Sequence, residues 1–272
     1  MEAKHLMCTI YTKDFGAECS FFEPMGFRTH AEFHTPSGED ARIVQAGAGL
    51  IEVIHHQGDP RPGLPWEVSL VVDDVEPWHK AVRRYKPSEI VGMPWGVPGF
   101  TVKAPTGPEF WIYGPRPGLE APLAAPRDPN GPNVLHFQIT WWAKKWEEDY
   151  EFLTKGLGFV TSRGRGSPKG NRIAFTRAAY DGRAIVEVVD GLYDQHPGPG
   201  LHWLISLPVD SAADFHRRMV EAGQMVSPLG MTRWGVPSFS ARTATGPLLF
   251  VYQERPGGTP GMVGEPAGLT MV

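Results

Sequence analysis

Cysteine is scarce: the 272-residue chain has two, Cys8 and Cys19. A framework of disulfides needs more, so the sequence points to a reducing compartment, with the cytoplasm as the expected location. Long apolar runs are missing as well. No stretch approaches the roughly eighteen residues of a membrane-spanning helix, and the opening MEAKHLMCTIYTKDFG has no extended apolar centre of a secretory signal. An excess of positive charge is also lacking, since 26 Lys and Arg against 30 Asp and Glu leave a net charge of −4. That balance favours solubility and gives no steering toward nucleic acid. The most basic stretch, Arg163, Arg165, Lys169 and Arg172 among glycines, reads as a solvated hairpin loop. Neither nucleic acid nor membrane is an expected partner.

What abounds is Gly, with 32 residues, and Pro, with 27. Together they make up far more than the roughly 12% of an average chain. Disorder is excluded by the 41% of hydrophobic residues and nine Trp, which supply apolar surface to offset ordering entropy. Gly and Pro interrupt helices and mark turns, so a helical bundle and a coiled coil are excluded too. The composition describes a globular chain of many short elements.

The chain repeats itself. Gly63-Leu64-Pro65-Trp66-Glu67-Val68-Ser69-Leu70 returns as Gly200-Leu201-His202-Trp203-Leu204-Ile205-Ser206-Leu207, an offset of 137. Trp95-Gly96-Val97-Pro98 returns as Trp234-Gly235-Val236-Pro237, Thr106-Gly107-Pro108 as Thr245-Gly246-Pro247, and Tyr113 as Tyr252. Earlier in each half, His5 falls on His136 and Phe21 on Phe152, Gly26-Phe27 on Gly158-Phe159, and Glu52 on Glu187. The expected units are halves 1–114 and 133–256, a Pro-rich linker 115–132, and a Gly/Pro-rich tail 257–272. Within the second half, β-branched and aromatic content predicts a strand over Val134–Trp141, and spacings of three and four predict a helix over Trp146–Leu157. Strands follow near Phe159–Arg163, Arg172–Thr176 and Ala184–Val189, and the pattern then restarts at His202. The unit is β-α-β-β-β, four times in all. One such unit leaves a sheet face exposed, so units must pair to bury a core.

These features resemble the vicinal oxygen chelate superfamily, which includes glyoxalase I, bleomycin-resistance proteins and extradiol dioxygenases. The likeness is carried by the strand–helix starts ending in Gly26-Phe27 and Gly158-Phe159, by Val71-Val72-Asp73-Asp74-Val75, and by the Trp-Gly and Thr-Gly-Pro patterns before each last strand. It implies an α+β fold in which four βαβββ modules pair into two glyoxalase-like half-barrel domains with curved mixed sheets. The tandem order is most similar to the extradiol dioxygenases.

The resemblance also implies where metal ligands lie: on the first and last strands of paired modules. In the second half these points carry His136, Glu187 and His202. Two imidazoles and a carboxylate can hold one divalent ion, Fe(II), Mn(II) or Zn(II), and leave positions open for substrate oxygens. Where the family has a final Glu, the chain reads Leu248-Leu249-Phe250-Val251-Tyr252-Gln253-Glu254, placing Phe250 at that point with Tyr252 and Glu254 on the same face. Tyr252 is the acid/base candidate or a phenolate ligand, and Glu254 a ligand in another register. Counting back from Phe152 puts Gln138, rather than His136, at the first point. The first half offers His5 and Glu52, with Pro65 against His202 and Trp111 or Tyr113 at its end, and reads as a structural or substrate-shaping copy.

The alternatives are structural. His136 and His202 can equally be buried histidines bonded to carbonyls, and His79 and His216 on the second helix of each half read as packing residues. His30, His34, His55 and His56 read as surface residues, while Trp95 and Trp234 can rim a cavity for an aromatic ligand. Three functions stay open. The first is a metalloenzyme with its site in the C-terminal half, taking a substrate with adjacent oxygens into ring cleavage or an isomerase or lyase step; Gln138, Trp234 and Phe250 would contact that substrate. The second is a metal-free protein that sequesters an aromatic or polyoxygenated molecule. The third is a scaffold without chemistry. The oligomeric state is open, a homo-oligomer included.

Overall fold

A computed structural model describes residues 6–34, 38–47, 49–57, 66–93, 96–106, 109–115, 134–166, 172–177, 184–190, 203–232, 235–242 and 248–254. Module 1 comprises β1 (Met7–Thr12), α1 (Phe15–Phe22), β2 (Arg28–His34), β3 (Asp40–Ala46) and β4 (Gly49–His55). Module 2 follows with β5 (Trp66–Val72), α2 (Val75–Ala81), β6 (Val91–Gly92), β7 (Pro98–Lys103) and β8 (Glu109–Tyr113). Module 3 holds β9 (Val134–Ala143), α3 (Trp146–Glu151), β10 (Val160–Gly166), β11 (Arg172–Arg177) and β12 (Ala184–Asp190). Module 4 holds β13 (Trp203–Val209), α4 (Ala212–Glu221), β14 (Met225–Val226), β15 (Gly230–Met231), β16 (Pro237–Arg242) and β17 (Leu248–Gln253).

Helix starts are written in side chains. Asp14 accepts from the Ala17 N–H at 3.0 Å, Asp74 from Glu76 at 3.1 Å and Ser211 from Asp214 at 3.2 Å, satisfying donors that a first helical turn cannot. Gly26 and Gly158 leave the first helices of modules 1 and 3 at φ 77° and 71°, a left-handed conformation open to glycine. The helix expected over Trp146–Leu157 is α3 followed by a π turn at Phe152–Gly156. Phe21 matches Phe152 at an offset of 131 and Gly26 matches Gly158 at 132, so module 3 carries one extra residue there. A π turn absorbs such an insertion without disturbing the helix that follows or precedes it.

The modules pair as expected for the fold, but not with their sequence neighbours. Sheet A runs β14-β16-β17-β13-β1-β4-β3-β2 and joins module 1 to module 4 through antiparallel β1 and β13. Sheet B runs β10-β11-β12-β9-β5-β8-β7-β6 and joins module 3 to module 2 through antiparallel β9 and β5. The halves 1–114 and 133–256 are thus units of duplication, and each sheet takes one module from each half. Hydrophobic period records that a strand is buried and leaves its partner open, which is why pairing within a half was the expectation. The linker from residue 116 onward and the tail lie outside the described residues.

One face of each sheet packs on the helices. Cys8, Ile10, Ile205, Leu207 and Val251 of sheet A and Leu70, Phe110, Ile139 and Val188 of sheet B share one continuous core with Phe21, Trp78, Phe152 and Phe215. Within this layer α1 lies over module 2: Phe21 and Phe22 meet the Phe110 ring at 5.8 and 5.6 Å, and Phe27 meets Trp78 at 6.3 Å. Modules 3 and 4 meet where Arg218 donates to the Leu157 carbonyl at 2.9 Å. His79 and His216 pack edge-on against Phe100 and Phe239, and Nε2 of each donates at 2.9 Å to the carbonyl of Ser88 or Ser227. They are a duplicated structural clamp. Cys8 and Cys19 are free and buried, and burial pushes the Cys19 thiol up to about 11 and that of Cys8 well above its ordinary value, which leaves both inert as nucleophiles.

Glu18 ties modules 1 and 2 from inside α1. Its buried carboxylate accepts from the Thr106 N–H at 3.1 Å and the Thr106 hydroxyl at 2.6 Å. Burial raises its pKa above the ordinary 4.5, against the lowering effect of the Thr106 bonds and with a smaller raising effect from Asp14. The folded state therefore holds this proton more tightly than the unfolded chain does. Stability from this group is fully present below the ordinary value and is lost as pH rises through the raised one. Glu18→Gln is expected to flatten the fall of melting temperature above pH 4.5. Parallel wild-type and variant slopes across pH 4 to 8 would refute the assignment.

Candidate functional site

The other face of each sheet, turned away from the helices, carries the candidate site residues. In sheet B the cross-strand register aligns Ile185, Gln138, Ser69 and Trp111 in one row. The next rows align Glu187 with Thr140 and Glu67, and His136 with Val71 and Tyr113. Alternation along each strand puts all of these positions on the same face.

Glu187 is half-buried, and one of its carboxylate oxygens accepts from Gln138 Nε2 and from the Thr140 hydroxyl, both at 2.9 Å. Gln138 is buried, with its own carbonyl oxygen taking the Tyr113 hydroxyl at 2.9 Å. Tyr113 is packed among Val71, Met93, Val97 and Trp111. Trp142 stands one row beyond Thr140, opposite Val189, and is half-buried. The result is a carboxylate held by Gln138 and Thr140, with the Trp142 indole one row along the sheet and Trp111 three strands away on β8.

Sheet A repeats the layout with different chemistry. Thr9 donates to Glu52 at 2.6 Å, as Thr140 does to Glu187. The row equivalent to Ile185, Gln138, Ser69 and Trp111 reads Leu50, Met7, Ser206 and Phe250. Glu52 and Ser206 are fully buried, and Met7, Ile43, Leu50, Val236, Phe250 and Tyr252 form an apolar cluster over this face, with Phe250 stacked on Tyr252 at 5.9 Å.

The residues expected to form one site are therefore divided. Glu187 and Gln138 belong to sheet B, while Phe250 and Tyr252 belong to sheet A, so Tyr252 does not face Glu187. Glu254 lies past the end of β17, its N–H bonded to the Val209 carbonyl at 2.9 Å. His136 sits on β9 two same-face steps from Thr140, about 13 Å along the strand; its side chain, like that of Glu67, lies outside the described residues. His202, Trp234, Trp95 and His5 lie outside them altogether. Of the two registers open at the first ligand point, the described contacts bring Gln138 to Glu187. Thr140, Ser69 and the role of Tyr113 were not singled out beforehand; the recurrence of Tyr113 as Tyr252 was the available signal.

A divalent metal of the kind the resemblance implies needs several imidazole or carboxylate donors. Among the described residues no group of three or more His, Cys, Asp or Glu is placed to hold one. In sheet B the amide of Gln138 turns its nitrogen, not its oxygen, to the carboxylate, and in sheet A the corresponding position is Met7. The described donor sets do not fit the ion.

Two mixed sheets, each built from paired βαβββ modules with helices on one face, define the vicinal oxygen chelate fold, and this chain has that fold. Glyoxalase I from Zea mays is similar over 93% of this chain and 93% of its own, with a TM-score of 0.70 and 14% identity, and a variant of that enzyme gives 0.73 at 13% identity over 93% and 94%. A putative dioxygenase from Bacillus subtilis subsp. subtilis str. 168 gives 0.67 at 15% identity over 94% and 87%. At such identities the likeness is one of fold. No protein-family model and no curated protein sequence matches the chain.

Proposed function

We propose that the helix-free face of sheet B binds an aromatic small molecule bearing a hydroxyl or amino group, with Glu187 accepting its hydrogen bond directly and no divalent metal between them. The observation that carries this is the carboxylate of Glu187, held by Gln138 and Thr140 yet still half-exposed. An oriented carboxylate in a partly dry site bonds a donor more strongly than one in water. Trp142, one row along the sheet from Glu187, supplies flat apolar area suited to an aromatic ring, and Trp111 extends the apolar surface farther across the face. Ring cleavage or isomerisation over a metal requires a donor set beyond the one described.

Dansylcadaverine, an aromatic amine, is a suitable probe. Saturable one-to-one binding, read by dansyl emission and Trp quenching, is expected to persist in EDTA. Binding that requires added Fe, Mn or Zn would overturn the reading. So would a full equivalent of metal retained by purified wild type and lost in Glu187→Gln.

A further inference from the structure

The hydrogen-bonded chain from Tyr113 to Glu187 has a direction. Gln138 turns its NH2 toward Glu187 and donates to the same carboxylate oxygen that takes the Thr140 hydroxyl. The amide oxygen then faces Tyr113, and the phenol must donate to it, as the 2.9 Å contact has it. We infer that Tyr113 is a positioning residue: it holds the Gln138 amide in the one orientation that presents a donor to Glu187, and so keeps that carboxylate aimed across the face. The inference rests on the reading of Glu187 as the ligand-binding group, and it names the residue that decides what this site accepts. With the amide so held, Gln138 offers the ligand no carbonyl oxygen. The acceptor set beside Gln138 is then the Glu187 carboxylate, suited to hydroxyl and ammonium donors and unsuited to carboxylates or other acceptor-only groups.

Two further observations support a built position for the phenol. Its register partner on β7 is Gly99, where a Cβ would stand 2.7 Å from Tyr113 Cβ and 2.6 Å from the Met93 methyl. Only glycine there lets the Tyr113 ring stand in its place. In sheet A, Tyr252 occupies the position of Tyr113, but Met7 occupies that of Gln138, so a thioether stands where sheet B has the amide. The two sheets thus keep the Tyr, the Thr and the Glu, and differ at the amide between them.

Tyr113→Phe, Gln138→Met and the double variant test this. Phe keeps the ring and its packing and removes the hydroxyl alone. In protein labelled with [15N]glutamine, the Gln138 side-chain amide signals are identified by their loss in Gln138→Met. They are expected to move toward those of solvated glutamines in Tyr113→Phe. The Kd for dansylcadaverine is expected to rise about fivefold in Tyr113→Phe, the worth of one typical hydrogen bond, and to change no further when Tyr113→Phe is added to Gln138→Met. Unmoved Gln138 signals would overturn the inference, as would an equal loss from Tyr113→Phe in both backgrounds, which would mean that Tyr113 touches the ligand itself. The amide signals require no ligand, so a failure of the probe to bind would count against the proposed function and leave this inference to be decided by the spectrum.

Discussion

Glu187→Ala is expected to weaken dansylcadaverine binding roughly a hundredfold, about 3 kcal/mol, while moving the melting temperature by no more than a few degrees. The binding loss follows from removing the carboxylate that Gln138 and Thr140 hold on this face of sheet B. Gln138 and Thr140 would then present donors toward a ligand that is itself a donor. The stability change is small because Glu187 is only half-buried, so water can take up the bonds its donors lose. Glu187→Gln is expected to lose nearly as much binding, since its amide nitrogen would confront Gln138 Nε2 or the ligand with a second donor. Glu52→Gln serves as the control. That carboxylate lies beneath the apolar cluster of sheet A, and its replacement is expected to leave the Kd unchanged. Titrations of the three variants in EDTA, with thermal melts alongside, decide the matter. A Kd for Glu187→Ala within threefold of wild type would place the ligand elsewhere.

Much of this arrangement could be read from the residues. The recurrence of Trp66-Glu67-Val68-Ser69-Leu70 as Trp203-Leu204-Ile205-Ser206-Leu207 marked equivalent strands, and the structure makes them β5 and β13. Glu52 and Glu187 were legible as equivalent carboxylates because each stands among β-branched neighbours, where a charge needs a reason. The partner choice was not legible. β1 offers the same edge to β5 as to β13, both strands carry the same Trp, Ser and Leu positions, and nothing in their period distinguishes them. That single ambiguity split the expected site, because it decides whether Glu187 faces the strand that holds Tyr252 or the one that holds Tyr113. His136 and Gln138 share a face by period two, so the alternation could not choose between them either. The choice came from register, which Phe152 records only if the π turn lying after it is recognised as the site of the extra residue.

Cross-pairing of the halves has a consequence for how the chain unfolds. Module 1 meets module 2 through the helix layer, module 2 meets module 3 through β5 and β9, module 3 meets module 4 through Arg218 and Leu157, and module 4 returns to module 1 through β13 and β1. The contacts close into a ring, so neither half can open without exposing an inner strand of both sheets. Phe110 lies within it, fully buried on β8 and in contact with the rings of Phe21 and Phe22 from module 1. Phe110→Ala is expected to cost about 3–5 kcal/mol, from the lost ring and the cavity left behind. That loss should fall on the whole chain rather than on residues 1–114 alone. In urea, far-UV circular dichroism and Trp fluorescence are expected to report one shared transition for wild type and variant, since Trp78 and Trp141 lie in different halves of one core. A first transition shifted by the substitution, followed by a second that is not, would mean that the halves fold separately and that the β1–β13 and β5–β9 seams are weak. Coincident curves that move together would show that duplication in the sequence has become a single cooperative unit in the fold.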